Sequence, residues 1–438
     1  MLEYRNLKIA ILGGGTVGAN VVDLLTTHRR ELEARVGAGL EVIGVLVRDP
    51  AAERTPSIPA NLLTTDAEAL ITAADIVVEL IGGIEPARSH VLAALGSGAD
   101  VITANKALLA THGPELFDLA AQVGAQLYYE AAVAAAIPIV RPLRESLAGD
   151  RVRRILGIVN GSTNYILDQM DTEGWDAERA QVVARELGYL EADPTLDLEG
   201  YDAAQKVAIL ASLAFHTHVP LDAVHREGIT TVTAAQVAAA KAAGYVVKLL
   251  AIAERLPAAD GTEGVVARVH PALVPRNHPL AAVHGGNNAV FVEAEFAGSL
   301  MFYGAGAGGV PTASAVLGDI VSAARRHLVG GPGVAESTGA DLPLLPFDRV
   351  VTRYQIAIDV TDRPGVLATI AQVFADHGVS IETALQTVRP GADGAPPTAT
   401  LVIVTHRAEE SALAATVEAL GGSDAVATVT SVIRVEGL

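Results

Sequence analysis

The stretch KIAILGGGTVG, residues 8–18, decides how this chain folds. Its first five residues form an apolar run that reads as a buried strand, and the glycines then turn the chain into a helix reaching about Arg35. Gly13, Gly15 and Gly18 have the G-x-G-x-x-G spacing, with Thr16 and Val17 inside it. Such glycines let the backbone approach a pyrophosphate, and the free N–H groups at the helix start attract its negative charge. Many glycine-rich turns bind nothing. The position between a strand and a helix makes this one a dinucleotide loop, and Val17, Ala19, Val21 and Val22 supply the face that packs on a sheet.

Working outward, EVIGVLV (41–47), DIVVEL (75–80), DVITA (100–104) and QLYYEAAV (126–133) read as further strands with helices between them. Strands alternating with helices predict an α/β fold with a doubly wound parallel sheet. The second strand ends in VLVRD, where a site selective for NAD would place an acid against the ribose. Arg48 stands there instead and suits a 2′-phosphate, which favours NADP; the alternative is that Asp49 reads the ribose of NAD.

The pattern changes after about residue 135. RRILGIVNG (153–161) reads as a strand, helices follow over 162–172, 176–187 and 201–215, and strands return at 264–274, 289–298 and 300–304. GAGAGGVPTASAVLGDIVSAARRHL (304–328) is a glycine turn opening a helix, with Pro311 suited to the first helical position. A Gly- and Pro-rich segment, 329–347, reads as a linker. Beyond it, three strands, two helices and a final strand in the order βαββαβ predict a ferredoxin-like unit.

Bulk properties narrow the function. At 438 residues, 50% hydrophobic and 18% charged, the chain is globular and large enough for two or three domains. A net charge of −19 with no basic run argues against a nucleic-acid partner. No charge-free apolar stretch reaches the roughly 18 residues a membrane span needs. The polar N-terminus does not read as a secretory signal, so a cytoplasmic protein is expected. The absence of cysteine excludes disulfides, thiolate metal sites and capture of an aldehyde as a thiohemiacetal.

The chemistry gathers in EADPTLDLEGYDAAQKVAIL, residues 191–210, where five acids precede Lys206. The plain reading is a solvated acidic loop and an ordinary Asp202–Lys206 pair at i, i+4. Other stretches sharpen it. VITANKALLA (101–110) sets Lys106 at a strand's C-terminal rim, where doubly wound sheets bind ligands. NGSTNYIL (160–167) sets Gly161 and Ser162 at a helix start whose N–H groups suit a substrate carboxylate.

With YEAAVAAAIP (129–138) and GAGAGGVPTASAV, these stretches resemble homoserine dehydrogenase from residue 5 to about 330, and the C-terminal unit with TDRPGVL resembles an ACT domain. The resemblance implies a Rossmann-like domain of residues 1–134 plus 305–335, and a substrate and dimerisation domain over 135–304. A linker over 336–351 and an ACT domain over 352–438 would follow. It implies Lys206 as proton carrier held by Asp202, Lys106 between nicotinamide and substrate, and Glu191 and Asp197 on the substrate ammonium. It also implies Gly82, Thr103 and Gly306 beside the cofactor, and sodium on Glu130 and the carbonyls of Val133, Ala135 and Ile137. Family members usually carry glycines where this chain has alanines after Glu130, so those carbonyls survive only if no residue there needs a positive φ. A homodimer is implied, with L-threonine as an effector at DRPGVL (362–367). The competing expectations are another semialdehyde reductase on the same scaffold and a catalytically idle amino-acid sensor.

Overall fold

The structure is a computed structural model that describes residues 6–258, 261–331, 336, 338–389 and 398–437. The first residues, part of the expected linker and the loop expected at 390–397 lie outside the described residues. Within them, six parallel strands form one sheet in the order 63–64, 40–46, 7–12, 76–79, 100–103, 127–128. This is the doubly wound order 3-2-1-4-5-6, whose ligand crevice lies at the carboxyl ends of the strands near the order reversal. The helix expected to reach Arg35 is two helices, Thr16–Thr27 and Arg29–Val36, broken at His28.

The strand expected over 126–133 is only Leu127–Tyr128. Glu130 already has helical backbone angles, and Ala131–Ala134, good helix formers, make a short helix instead. The helix Gly309–Val329 returns to this sheet: Ala313, Val316, Ile320 and Ala324 share a core with Ile9, Ile11, Val21 and Ile76. Pro311 is its third residue rather than its first, still within the turn whose N–H groups have no intrahelical partner.

A second sheet runs Gly298–Ala305, Asn287–Ala294, Val152–Ile158, Tyr245–Pro257, Glu263–Pro275. The central strand Tyr245–Pro257 is unforeseen by the sequence reading. Its run YVVKLLAIA directly follows an alanine-rich helix and Gly244, and a continuous apolar run does not itself distinguish strand from helix.

The same sheet continues into the C-terminal unit. The strand Val426–Val435 pairs in parallel with Glu263–Pro275 (Ala272 with Arg434, Leu273 with Val435) and antiparallel with Val351–Thr361. Thr398–Thr405 and Ile381–Arg389 follow outward. The helices Val366–Asp376 and Glu410–Gly421 close a separate core around Ile356, Ile358, Phe374, Leu401 and Leu413. The expected βαββαβ order therefore stands, fused by strand pairing to the domain before it. The segment expected as a linker is docked: Val265 N–H donates to Pro343 O and Leu345 N–H to Val265 O, each at 2.9 Å. Among the described residues no helix is long and apolar enough to cross a membrane.

Candidate active site

The helix Tyr201–Phe215 starts at Gly200, whose φ of 79° needs a glycine, and places Asp202 and Lys206 one turn apart. The Lys206 ammonium group lies 2.8 Å from Asp202 Oδ2 and donates to the Val159 carbonyl at 2.6 Å. Lys106 arrives from the other sheet as the first residue of the helix Lys106–Val123, capped by the Asn105 side chain on Leu108 N–H. Its Nζ is 3.1 Å from Asp202 Oδ1. One carboxylate thus joins two lysines from two domains. The side chains of Asp202 and Lys206 are each 10% exposed against 38% for Lys106, so Lys106 is the most open of the three. Burial pushes the Asp202 carboxyl up, but the ammonium groups of Lys206 and Lys106 outweigh it and hold the carboxyl well below the usual range.

Asn160 ties this pair to the acidic loop. Its side-chain oxygen accepts from Thr163 N–H at 2.9 Å and caps the helix Gly161–Thr172, while Nδ2 donates to Asp197 at 2.6 Å and Asp202 at 3.0 Å. Burial pushes the Asp197 carboxyl up against this hydrogen bond. The cap on Thr163 leaves Gly161 and Ser162 with the first two helical N–H groups. Gly161 packs so closely on the Gly286 carbonyl that a Cβ would lie 2.6 Å from it, and the Ser162 hydroxyl donates to Tyr189 O. Glu191 is not brought into this cluster by any bond: it is exposed and makes no hydrogen bond or ion pair among the described residues.

The glycine loop fits a dinucleotide. A Cβ on Gly13, at φ 111°, would meet Leu80 O at 2.7 Å, and one on Gly18 would meet Gly13 O at 1.9 Å, so these two close the turn and seat the helix. Gly15 is exposed, with nothing within 4 Å of its Cβ direction, and leaves room for an approaching phosphate. Exposed Thr16 and partly buried Val17 follow it.

Arg48 is exposed at the end of its strand, whereas the Asp49 carboxylate accepts from Ala51 N–H at 2.8 Å within its own turn. Arg54, missed in the sequence, crosses this turn to Asp49 O and Ala52 O, and its Nε stands 3.1 Å from the Cβ direction of Gly14. No spacing rule marks it, since the β-turn Asp49–Ala52, with Ala52 N–H donating to Asp49 O at 3.4 Å, brings it back from beyond the turn. Gly82 is open at φ 78°. Thr103 is fully buried, its hydroxyl donating to Glu79 at 2.6 Å and accepting from Asn105 N–H at 3.0 Å, so its side chain is already engaged within the protein. Gly306 lies against the buried Asn288 side chain, which would collide with a Cβ.

Around the expected cation site, Glu130 accepts from the N–H groups of Ile139 (2.6 Å), Val140 (2.8 Å) and Arg141 (3.0 Å). Its carboxylate caps the next helical segment. Ile139 and Arg141, the i+4 donors that Ala135 and Ile137 would have had, are thereby turned away, and Ile137 N–H goes to Ala134 O rather than Val133 O. Three buried carbonyls lose their helical donors, which suits a hard cation in kind. Ala135, however, stands at φ 50°, ψ −108°, the conformation a glycine would occupy. Asp319, also unforeseen, accepts from Glu130 N–H at 2.9 Å and pairs with Arg141 at 2.7 Å; burial pushes its carboxyl up to about 6.

The family model for the homoserine dehydrogenase NAD binding domain matches residues 13–130, that for homoserine dehydrogenase residues 138–321, and that for the ACT domain residues 354–422. The homoserine dehydrogenase of Corynebacterium glutamicum is 53% identical over 98% of this chain and 95% of its own length. That of Mycobacterium tuberculosis is 52% identical over 99% of each chain. The crystal structure of the Thiobacillus denitrificans homoserine dehydrogenase superposes with a TM-score of 0.91 at 37% identity, covering 99% of both chains. A hyperthermophilic archaeal homoserine dehydrogenase in complex with NADPH, 29% identical, covers 75% of this chain and 99% of its own, with a TM-score of 0.62. The chain therefore belongs to the homoserine dehydrogenase family, nicotinamide-dependent oxidoreductases that act on a CH–OH group and interconvert L-homoserine and L-aspartate 4-semialdehyde, here with a C-terminal ACT domain.

Proposed function

We propose that Lys206 moves the proton of this reaction and that Lys106 and Asp202 complete its catalytic group. The observation that carries this is the single carboxylate shared by two lysines from different domains. An ammonium group has three N–H donors. Lys206 spends one on Asp202 and one on Val159 O, which leaves one for the substrate oxygen. Lys106, more open and on the cofactor side, adds a second positive charge where alkoxide character develops. A bound nicotinamide cofactor supplies or accepts the hydride on the substrate carbon. No covalent intermediate is needed, in keeping with a chain that has no cysteine.

Substrate binding follows from the same cluster. Asp197 takes the α-ammonium group, with Glu191 as a second, outer carboxylate, and the N–H groups of Gly161 and Ser162 take the α-carboxylate. NADP is the preferred cofactor because Arg48 is free at the strand end while Asp49 is engaged. The carbonyls of Val133, Ala135 and Ile137 would hold a sodium ion with a structural role, and L-threonine would bind the ACT domain. The enzyme acts in the cytoplasm as a homodimer through its second domain. Purified protein given homoserine with NADP or NAD, followed by absorbance of the reduced nicotinamide, tests the reading. Faster turnover with NADP is the expected result, and turnover with NAD alone would refute the cofactor assignment.

A further inference from the structure

Arg434, in the last ACT strand, lies 207 residues from Glu227 in sequence and 2.9 Å from it in space, Nη1 to Oε2. On its other side the same guanidinium donates to Glu410, the first residue of the ACT helix Glu410–Gly421, at 2.6 Å. The Arg434 side chain is 12% exposed and lies over the rings of Phe347 and Tyr354, so its position is set by packing as well as charge.

Glu227 belongs to a segment laid directly on the acidic loop. Its own N–H is held by Val269 O at 2.7 Å. The next residue, Gly228, packs so tightly that a Cβ would lie 2.2 Å from Leu198 O and 2.4 Å from Glu199 Cα. Ile229 N–H donates to Leu198 O at 2.8 Å, and the Arg226 guanidinium donates to Glu199 O and lies 3.5 Å over the Tyr201 ring. The residues clamped in this way, Leu198 to Tyr201, stand between Asp197 and Asp202. A second anchor fixes the strand that carries Arg434: Glu436 bonds the half-buried Arg154 and the buried Arg268 of the second sheet.

We infer that Arg434, through Glu227, is a positioning residue that holds the substrate-binding loop of residues 197–202 in place from the ACT domain. This rests on the reading of Asp197 as the ammonium site. Besides Asn160 on Asp197 and the two lysines on Asp202, the 226–229 segment holds these residues from their outer side. The ACT domain thereby acts on substrate affinity through a pair that touches neither substrate nor cofactor, and a shift of the Glu410 helix would be felt first at Asp197.

The full-length variants Arg434→Met, Glu227→Gln and their double test this by steady-state kinetics. Each single variant should raise the homoserine KM about tenfold, with kcat and the NADP KM within about threefold of the parent. The double should be no worse than either single, because both break one line. Arg434→Lys should recover part of the loss. Glu227 is 40% exposed, so Glu227→Gln keeps the test open should Arg434→Met not fold. A homoserine KM within twofold of the parent in Glu227→Gln, or an equal rise in both KM values, overturns the inference. Asp197→Asn, measured alongside, separates the cases: if it leaves the homoserine KM unchanged, the underlying reading of the loop fails as well.

Discussion

Lys106 meets Asp202 across the boundary between the two sheets, with Nζ 3.1 Å from Oδ1. Lys106 opens a helix of the dinucleotide domain, and Asp202 lies in the first turn of a helix of the substrate domain. The catalytic group proposed for Lys206, Lys106 and Asp202 therefore comes together only when the two domains dock, with Asp202 as its shared member.

Lys206→Ala should lower turnover by about a hundredfold or more while leaving cofactor affinity intact. Its ammonium group contacts Asp202 and Val159 O, not the glycine loop. Cofactor titration by fluorescence and single-turnover kinetics separate the two effects. Turnover near the parent rate would show that the proton travels elsewhere.

Asp202 gives the site an acid dependence. Its folded pKa is depressed, so its stabilising contribution is complete above the unfolded value of about 4 and is lost as pH falls from there toward the folded value. Asp202→Asn removes the charge that both lysines face, costing about 3 kcal/mol near neutral pH. The variant should also lose less further stability than the parent below pH 4. Urea unfolding at pH 7 and at pH 3 measures both; parallel pH dependence in the two proteins would contradict it.

Much of this was legible in the sequence, for physical reasons that also mark its limit. The glycine loop and the Asp202–Lys206 pair are local: one needs close backbone approach, the other one helical turn, and both leave a fixed spacing. Asn160 shows its helix-capping role locally, but its reach to Asp197 and Asp202, 37 and 42 residues on, is set by the packing of one helix start on another. The docking of the expected linker depends on Gly264, where a Cβ would lie 2.5 Å from Leu345 Cγ. Nothing in a Gly- and Pro-rich composition announces that contact. The strand Val426–Val435 was legible as a strand, but its second partner, Glu263–Pro275, is a feature of tertiary docking.

Arg48 and Arg54 flank the turn after the second strand. Arg48→Ala should weaken NADP binding by about 1.5–3 kcal/mol, the worth of charge-assisted hydrogen bonds, and leave NAD nearly unchanged. Arg54 is already engaged with two carbonyls, so Arg54→Ala should weaken both cofactors by loosening the turn. Calorimetric titration with each cofactor distinguishes these. Equal losses of NADP and NAD in Arg48→Ala would move the phosphate contact elsewhere.

Ala135 occupies a glycine-like conformation at φ 50° without being glycine. Ala135→Gly should relieve that strain and raise stability by up to about 1 kcal/mol, the gain being partly offset by the freer unfolded chain. Thermal melts with and without sodium chloride, against choline chloride at equal ionic strength, also show whether sodium adds stability. A lower melting temperature in Ala135→Gly would mean that the conformation carries no strain.

The last prediction concerns L-threonine. Removing the whole ACT domain is a poor test, because Glu436 would go with it and leave Arg154 and buried Arg268 with Glu254 as their shared carboxylate. A point change in the turn DRPGVL is cleaner. Gly365 is the N-cap of the helix Val366–Asp376 at φ 94°, with open space along its Cβ direction; Pro364 lies just before it rather than in the first helical turn. A ligand carboxylate can approach the helix-start N–H groups there. Threonine is an isomer of homoserine, so inhibition alone could arise at the active site. Gly365→Val separates the two: a branched residue is strained at φ 94°, so the change disrupts the helix start locally and leaves the distant Lys106, Asp202 and Lys206 untouched. Millimolar threonine should slow the parent and bind it by calorimetry, while Gly365→Val keeps its basal activity and loses both responses. An effector acts only through unequal affinity for two states, so binding without a change in rate would make the domain a structural one. No heat and no inhibition across that range would remove threonine as its ligand.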